Sequence, residues 1–328
     1  MKKTIIIPYF GKFPDYFDLF LRSCKYNFNY NWIIFTDNHD RYNYPKNVKI
    51  VNMDFEELKK VIQKKFDFKI SLDFPYKLCD FKPAYGYIFS EWIKDSEWWG
   101  YSDCDLIYGN LEKMIESSLF KNYDKIFTTG HLSFFKNTEK INKCFMNKYC
   151  NINYFHRVFT SKKIYAFDEN VINELFLLNG FKIYTGDLAA NPSVYYYHFR
   201  LIKRDYDIKR YLTEDYTPSL YLWDKGNMCR YYYSEDDGRL TKNEFAYMHF
   251  QQRKMILKKN NGNFAIIKPN SIDILNKKSF NNLADIWHYK NGKLDLNLLK
   301  ITFLNRIRYR IKRNLSFIFH GKFTRSNF

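Results

Sequence analysis

Glycine, cysteine and long apolar runs are all in short supply, and each shortage excludes something. Of the 12 glycines in 328 residues, Gly11 is the only one near the N-terminus, which counts against the glycine-rich phosphate loop expected of a nucleotidyltransferase. The six cysteines (Cys24, Cys79, Cys104, Cys144, Cys150 and Cys229) contain no Cys-x-x-Cys pair and no zinc-like cluster. In a chain this long they need no disulfide framework, and a reducing compartment is expected. No stretch approaches the ~20 apolar residues that cross a bilayer. The run Thr4-Ile5-Ile6-Ile7 after Met1-Lys2-Lys3 ends at Pro8, short of the ~7–15 apolar residues of a signal peptide, so a cytoplasmic protein is expected. There is no internal repeat and no low-complexity linker.

Acidic residues are outnumbered, 35 against 53 Lys and Arg, for a net charge of +18. From 300 to 328 they are absent, while Lys300, Arg306, Arg308, Arg310, Lys312, Arg313, Lys322 and Arg325 are present. On a helix, Ile301, Leu304, Ile311, Leu315 and Ile318 fall near one face. Two readings stand: a basic amphipathic helix on an anionic membrane, at ~1 kcal/mol per basic residue near the lipid, or a solvated C-terminal helix packed by its apolar side. No nucleic-acid partner is expected, because the basic excess is densest in this tail and is not interleaved with an aromatic platform.

What the chain does have is apolar content, 46%, with 29 Tyr and 32 Phe, enough for a globular protein. Short apolar runs alternate with helical periodicity. Residues 4–10, 32–37 and 98–102 read as buried strands. Residues 15–24, 55–66, 76–94 (broken or started near Pro83), 111–119 and 168–178 read as helices, and 125–135 as two short strands around a glycine turn. The pattern predicts an α/β fold with a mostly parallel central sheet flanked by helices. Residues 187–248, rich in Tyr and charge, read as a meander, and a boundary is expected near 270.

The block Trp98-Trp99-Gly100-Tyr101-Ser102-Asp103-Cys104-Asp105-Leu106-Ile107-Tyr108-Gly109-Asn110-Leu111 sets two carboxylates one residue apart between apolar runs. The tripeptide alone says little, since Asp205-Tyr206-Asp207 repeats it among Lys203, Arg204, Lys209 and Arg210. The setting distinguishes Asp103 and Asp105: a buried strand ends just before them and a turn follows. That puts both at a strand's C-terminal edge, where open α/β sheets bind ligands. Paired hard oxygens there suit Mg²⁺ or Mn²⁺.

With residues 4–10, Phe35-Thr36-Asp37-Asn38, residues 129–137, Phe167-Asp168-Glu169-Asn170 and Met248-His249-Phe250 following in order, the sequence resembles GT-A glycosyltransferases over roughly 4–255. It is closest to bacterial surface-polysaccharide (capsule or lipopolysaccharide) enzymes and to the retaining galactosyltransferase family with a late metal-binding histidine. The resemblance implies a Rossmann-like GT-A catalytic domain over 1–270, with a nucleotide-sugar half at about 1–110 and an acceptor half at about 111–270, then a helical basic extension over 271–328. It implies a UDP-hexose type of donor, a glycan or lipid-linked glycan acceptor, retention of configuration, and Mn²⁺ or Mg²⁺ on Asp103, Asp105 and His249. An acceptor in lipid would place the protein peripherally on the inner face of the cytoplasmic membrane through residues 300–328.

The same resemblance puts Asp168 and Glu169 over the donor sugar, completing an implied catalytic set with Asp103 and Asp105. It assigns the nucleotide to Pro8, Tyr9 and Asp37, the phosphates or sugar to Lys77 or Lys82, the diphosphate to Arg253 and Lys254, and the acceptor to His131. Gln251-Gln252 stand where the family has a glycine-containing loop. Ordinary structural roles stay open for several of these: a core histidine at 249, a turn-capping aspartate at 37, helix-opening carboxylates at 168 and 169, and solvated lysines at 77 and 82. A nucleotidyltransferase and a nucleic-acid-binding protein are the alternative functions.

Overall fold

The computed structural model describes residues 1–205, 210–234, 238–251, 253–258, 262–276 and, in the tail, 300, 303, 304 and 307. The chain is α/β and divides into two compact units, Met1–Cys104 with Leu111–Gly186, and Asp105–Asn110 with Asp187–Phe328.

In the first unit, strands β1 (Lys3–Pro8), β2 (Tyr30–Thr36), β3 (Val48–Asn52), β4 (Trp98–Ser102), β6 (Lys125–Ile126), β7 (Leu132–Lys136) and β8 (Ile183–Tyr184) form one sheet in the order β3-β2-β1-β4-β7-β6-β8. Strand β5 (Leu106–Tyr108) belongs to the second unit. The four strands β3, β2, β1 and β4 run parallel, and Ile5, Ile6 and Ile7 are all buried, as a parallel strand covered on both faces requires. Beyond β4 the expected parallel sheet becomes mixed: β7 is antiparallel to β4 and to β6. The link from β6 to β7 is far too short for a parallel crossover, which takes a dozen or more residues. Trp99 on β4 stacks on Phe135 of β7 with ring centroids 4.4 Å apart, which fixes these two strands face to face in the core.

Local chemistry explains where helices start and stop. Phe55–Gln63 opens with a capping box, in which Asp54 accepts the Glu57 N–H at 2.7 Å and Glu57 accepts the Asp54 N–H at 2.8 Å. The expected helix over 76–94 is instead a 3₁₀ run Pro75–Ala84, one α-turn Tyr85–Ile88 and a 3₁₀ turn Ser90–Trp92, because Pro83 supplies no N–H to an α-ladder. The expected helix over 111–119 is two short pieces, Leu111–Met114 and Ser117–Asn122. The helix expected from 168 begins at Val171, so Asp168 and Glu169 stand before it.

The second unit contains β5, β9 (Ala189–Ala190), β10 (Ile202–Asp205), β11 (Arg210–Thr213), β12 (Ser219–Asp224), β13 (Asn227–Tyr233), β14 (Leu240–Phe245), β15 (Tyr247–His249), β16 (Ile256–Lys258), β17 (Phe264–Lys268) and β18 (Ser271–Leu275). Six of them form the sheet β14-β13-β12-β17-β18-β16, antiparallel except for β16 on β18. One face carries the buried cluster Leu220, Leu222, Phe264 and Ile266, the alternate positions of β12 and β17 that a half-buried sheet calls for. From β10 to β14 the expected meander is a set of antiparallel ladders, and ordered strand continues past 270 through β18. A small sheet, β5-β15-β9, places β15 antiparallel to β5 and parallel to β9.

Asp207 and most of the basic tail lie outside the described residues. Phe303, Leu304 and Ile307 are exposed. Among the described residues no helix is long and apolar enough to cross a membrane.

Candidate metal centre

The small sheet of the second unit builds the core of the site. Its register pairs His249 with Leu106, and the Phe250 N–H donates to the Asp105 carbonyl at 2.8 Å, so Asp105 and His249 are held side by side. The His249 Nε2 stands 3.3 Å from Asp105 Oδ1. On the other side of the ring, Nδ1 lies 3.3 Å from Asn191 Oδ1, an oxygen that also accepts from the Gln251 side chain at 2.6 Å. With its proton on Nδ1, donated to this amide oxygen, the ring turns the Nε2 lone pair towards the carboxylate. A carbonyl oxygen on the far ring nitrogen is the partner that commonly sets the tautomer of histidines that bind metals.

Asp105 Oδ1 is buried and has no hydrogen-bond partner. In that tautomer two lone pairs converge, an arrangement that could hold a cation between them. Neighbouring ligands of an octahedral ion with bonds of ~2.1 Å stand about 3 Å apart, close to the distance found. Asp103 stands two residues before Asp105 along the chain, joined to it through Cys104. Two carboxylates and an imidazole are a donor set for Mn²⁺ or Mg²⁺.

In the first unit, Asp103 extends the β4–β7 ladder by one residue, its N–H donating to the His131 carbonyl at 3.1 Å. Its Oδ1 accepts from Lys82 Nζ at 2.7 Å. The same ammonium donates to the Gly130 carbonyl at 2.7 Å and stands 3.4 Å from Asp168 Oδ2. Burial works to lower the Lys82 ammonium, but Asp103 and Asp168 outweigh it and hold its pKa well above the ordinary value. Asp168 is pushed up to about 7, first by burial, with Lys82 opposing and Glu169 and Asp103 adding to the rise. Glu169 accepts the Gly130 N–H at 3.0 Å. A Cβ on Gly130 would meet Asp168 Oδ2 at 2.5 Å, so any larger residue here would have to displace this carboxyl.

The remaining predicted residues fall into two groups. Lys77 is fully buried, and its three protons go to Asp80 Oδ2 at 2.7 Å, the Val158 carbonyl at 3.1 Å and the Lys163 carbonyl. None is left for a phosphate. Arg253 is also buried, donating to the carbonyls of Ser193, Tyr196, Tyr197 and Pro269, and burial brings its pKa down to about 10. Both are internal braces. Lys254 is exposed. At the end of β1, Pro8 is half-buried, and the Tyr9 ring stacks on Phe13 with centroids 5.1 Å apart. Asp37 is exposed and accepts the Gly11 N–H at 2.7 Å, which ties the ends of β1 and β2 into one loop cluster. The His131 side chain is buried.

A family model matches residues 5–280 and is described as a family of unknown function, DUF6625. The chain belongs to DUF6625. No curated protein matches it. For this DUF6625 member the chemistry has to be read from the residues.

Three residues of the site escaped the sequence reading. In the sequence Gly130 reads only as a turn residue, yet its Cα faces the Asp168 carboxyl. Asn191 carries no signal of its own, because an asparagine 58 residues from its histidine cannot be paired with it without the register of β9 and β15. Gln251, which stands where the resembled family has a glycine-containing loop, takes φ +54, a conformation that favours glycine, and donates to Asn191.

Proposed function

We propose that this DUF6625 protein is a metal-dependent glycosyltransferase of GT-A architecture, moving a hexose from a UDP-type nucleotide-sugar to a bacterial surface glycan with retention. The observation that carries the reading is the convergence of Asp105 Oδ1 and His249 Nε2 at 3.3 Å with Asp103 two residues away along the chain. Support for the architecture comes from the parallel run β3-β2-β1-β4, with Asp103 following β4 as ligands follow strands in open α/β sheets.

Asp103, Asp105 and His249 would hold Mn²⁺ or Mg²⁺. The ion would supply Lewis-acid stabilisation of the charge that builds on the departing diphosphate. Lys82, buried and cationic, keeps Asp103 and Asp168 in place. Asp168, with a pKa of about 7, can carry a proton at neutral pH and so either donate to or accept from a sugar hydroxyl. Glu169 fixes the Gly130 turn beside it. Six free thiols fit a reducing compartment, and the basic tail fits a lipid-linked acceptor on the inner membrane face.

The test is a panel of nucleotide-sugars incubated with the protein and Mn²⁺. Hydrolysis or transfer with at least one donor, abolished by EDTA, is expected. No turnover and no calorimetric binding across the panel would remove the transferase reading.

A further inference from the structure

We propose that Gln251 is a positioning residue of the metal centre, and that the turn after β15 is a clip that fixes Asn191 against the His249 ring. The inference rests on the reading of Asp105 and His249 as metal ligands, and every residue it uses lies in the second unit.

Where the chain leaves β15, the Phe250 carbonyl accepts the Arg253 N–H at 3.1 Å and closes a four-residue turn. Gln251 is its first central residue and has φ +54. Turns with a positive φ at that position favour Gly, Asn or Asp, and a longer side chain there strains the backbone. A glutamine in this place needs a use that glycine cannot supply.

The use is a reach back to Asn191. The Gln251 side chain donates to Asn191 Oδ1 at 2.6 Å, while His249 Nδ1 stands 3.3 Å from the same oxygen. An amide oxygen has two lone pairs, and these two contacts occupy both. The shorter contact is the tighter constraint, so Gln251 decides where the Asn191 amide stands. Asn191 in turn decides how the imidazole is held.

The far end of the turn holds the same stretch of chain. Arg253 donates to the carbonyls of Ser193, Tyr196 and Tyr197, so residues 191–197 are gripped by one side chain from each end of the turn. The Asn191 main chain is tied as well, its carbonyl accepting the Ile202 N–H at 2.8 Å, and the residue is buried. With the backbone held, rotation of the Asn191 side chain is the freedom left, and Gln251 removes it.

The experiment is calorimetric titration of Mn²⁺ into the full chain, with the thermal midpoint measured on each variant. Gln251→Gly suits the turn, so its midpoint should stay within about 2 °C of wild type or rise, while Mn²⁺ affinity falls about fivefold or more. Gln251→Asn tolerates the same backbone with one methylene less reach. It controls for the added flexibility of glycine and should weaken Mn²⁺ as well. In an Asn191→Ala background Gln251→Gly should cost no further affinity, because its effect runs through Asn191. Unchanged affinity in Gln251→Gly, a loss confined to the glycine variant, or an added loss on top of Asn191→Ala would overturn the proposal and leave the metal reading standing. Wild-type protein that binds no Mn²⁺ would remove the metal reading and the role of Gln251 together.

Discussion

Asp80 and Asp105 are the same residue type put to opposite uses. Asp80, in the first unit, is fully buried and saturated: it accepts from Lys77 at 2.7 Å, from the Tyr165 N–H at 3.0 Å and from the Phe167 N–H at 3.0 Å. Asp105, in the second, has a buried oxygen with no hydrogen-bond partner and the His249 Nε2 standing 3.3 Å from it. A carboxylate with every acceptor filled holds a fold, and one left open beside another ligand is free to hold a cation. Asp80 does have an indirect bearing on chemistry, because the two N–H groups it fixes flank Ala166 at φ +50, just before Asp168.

The comparison can be broken from either side. Asp80→Ala would strand the buried Lys77 ammonium, and a loss of about 3–5 kcal/mol is expected, measured by denaturant unfolding. A loss below about 1 kcal/mol would show that the pair is not structural. Asp105→Ala should leave stability nearly unchanged and lower metal-dependent turnover by about 10²–10³-fold; retained turnover would remove Asp105 from the site. Asn191→Ala frees the His249 ring, so Mn²⁺ affinity should fall about 10–100-fold, with unaltered affinity showing that Asn191 does not orient the ring.

Two smaller effects sharpen the account of the first unit. Gly130→Ala drives a Cβ to 2.5 Å from Asp168 Oδ2, and thermal unfolding should show a cost of about 1–3 kcal/mol for the displaced carboxyl. For Asp168, the folded pKa of about 7 lies above the ~3.9 of an unfolded aspartate. Between those values the folded state binds more protons, so this group lowers stability as pH rises from about 4 to about 7, and above that window its effect is constant. Asp168→Asn should flatten the thermal midpoint across that window; an identical slope would mean that Asp168 does not titrate there.

The sequence made some of this visible and hid the rest for physical reasons. Strands β1, β2 and β4 were legible because burial on both faces demands unbroken apolar runs, and Asp103 and Asp105 because such a run ends at them. The edge strand β3 was missed, since Val48–Asn52 is only partly buried and has no such run. Helix periodicity over 76–94 was overruled at Pro83. Asp168 and Glu169 read equally well as helix openers, and only the packing of Lys82 and Gly130 shows their side chains turned to other partners. Lys77 and Lys82 are indistinguishable in sequence, yet one ammonium is spent on Asp80 and backbone carbonyls while the other stands between Asp103 and Asp168. His249 could be named from the resemblance, but Asn191, which sets its tautomer, needed strand register.

The central claim, that Asp105 and His249 with Asp103 bind a divalent ion that in turn holds a nucleoside diphosphate, is tested most directly by titrating UDP into the protein calorimetrically with Mn²⁺ and with EDTA. UDP binding that requires Mn²⁺ and is lost in both Asp105→Ala and His249→Ala is the predicted result; UDP binding of equal strength in EDTA, or unchanged by both substitutions, would contradict it.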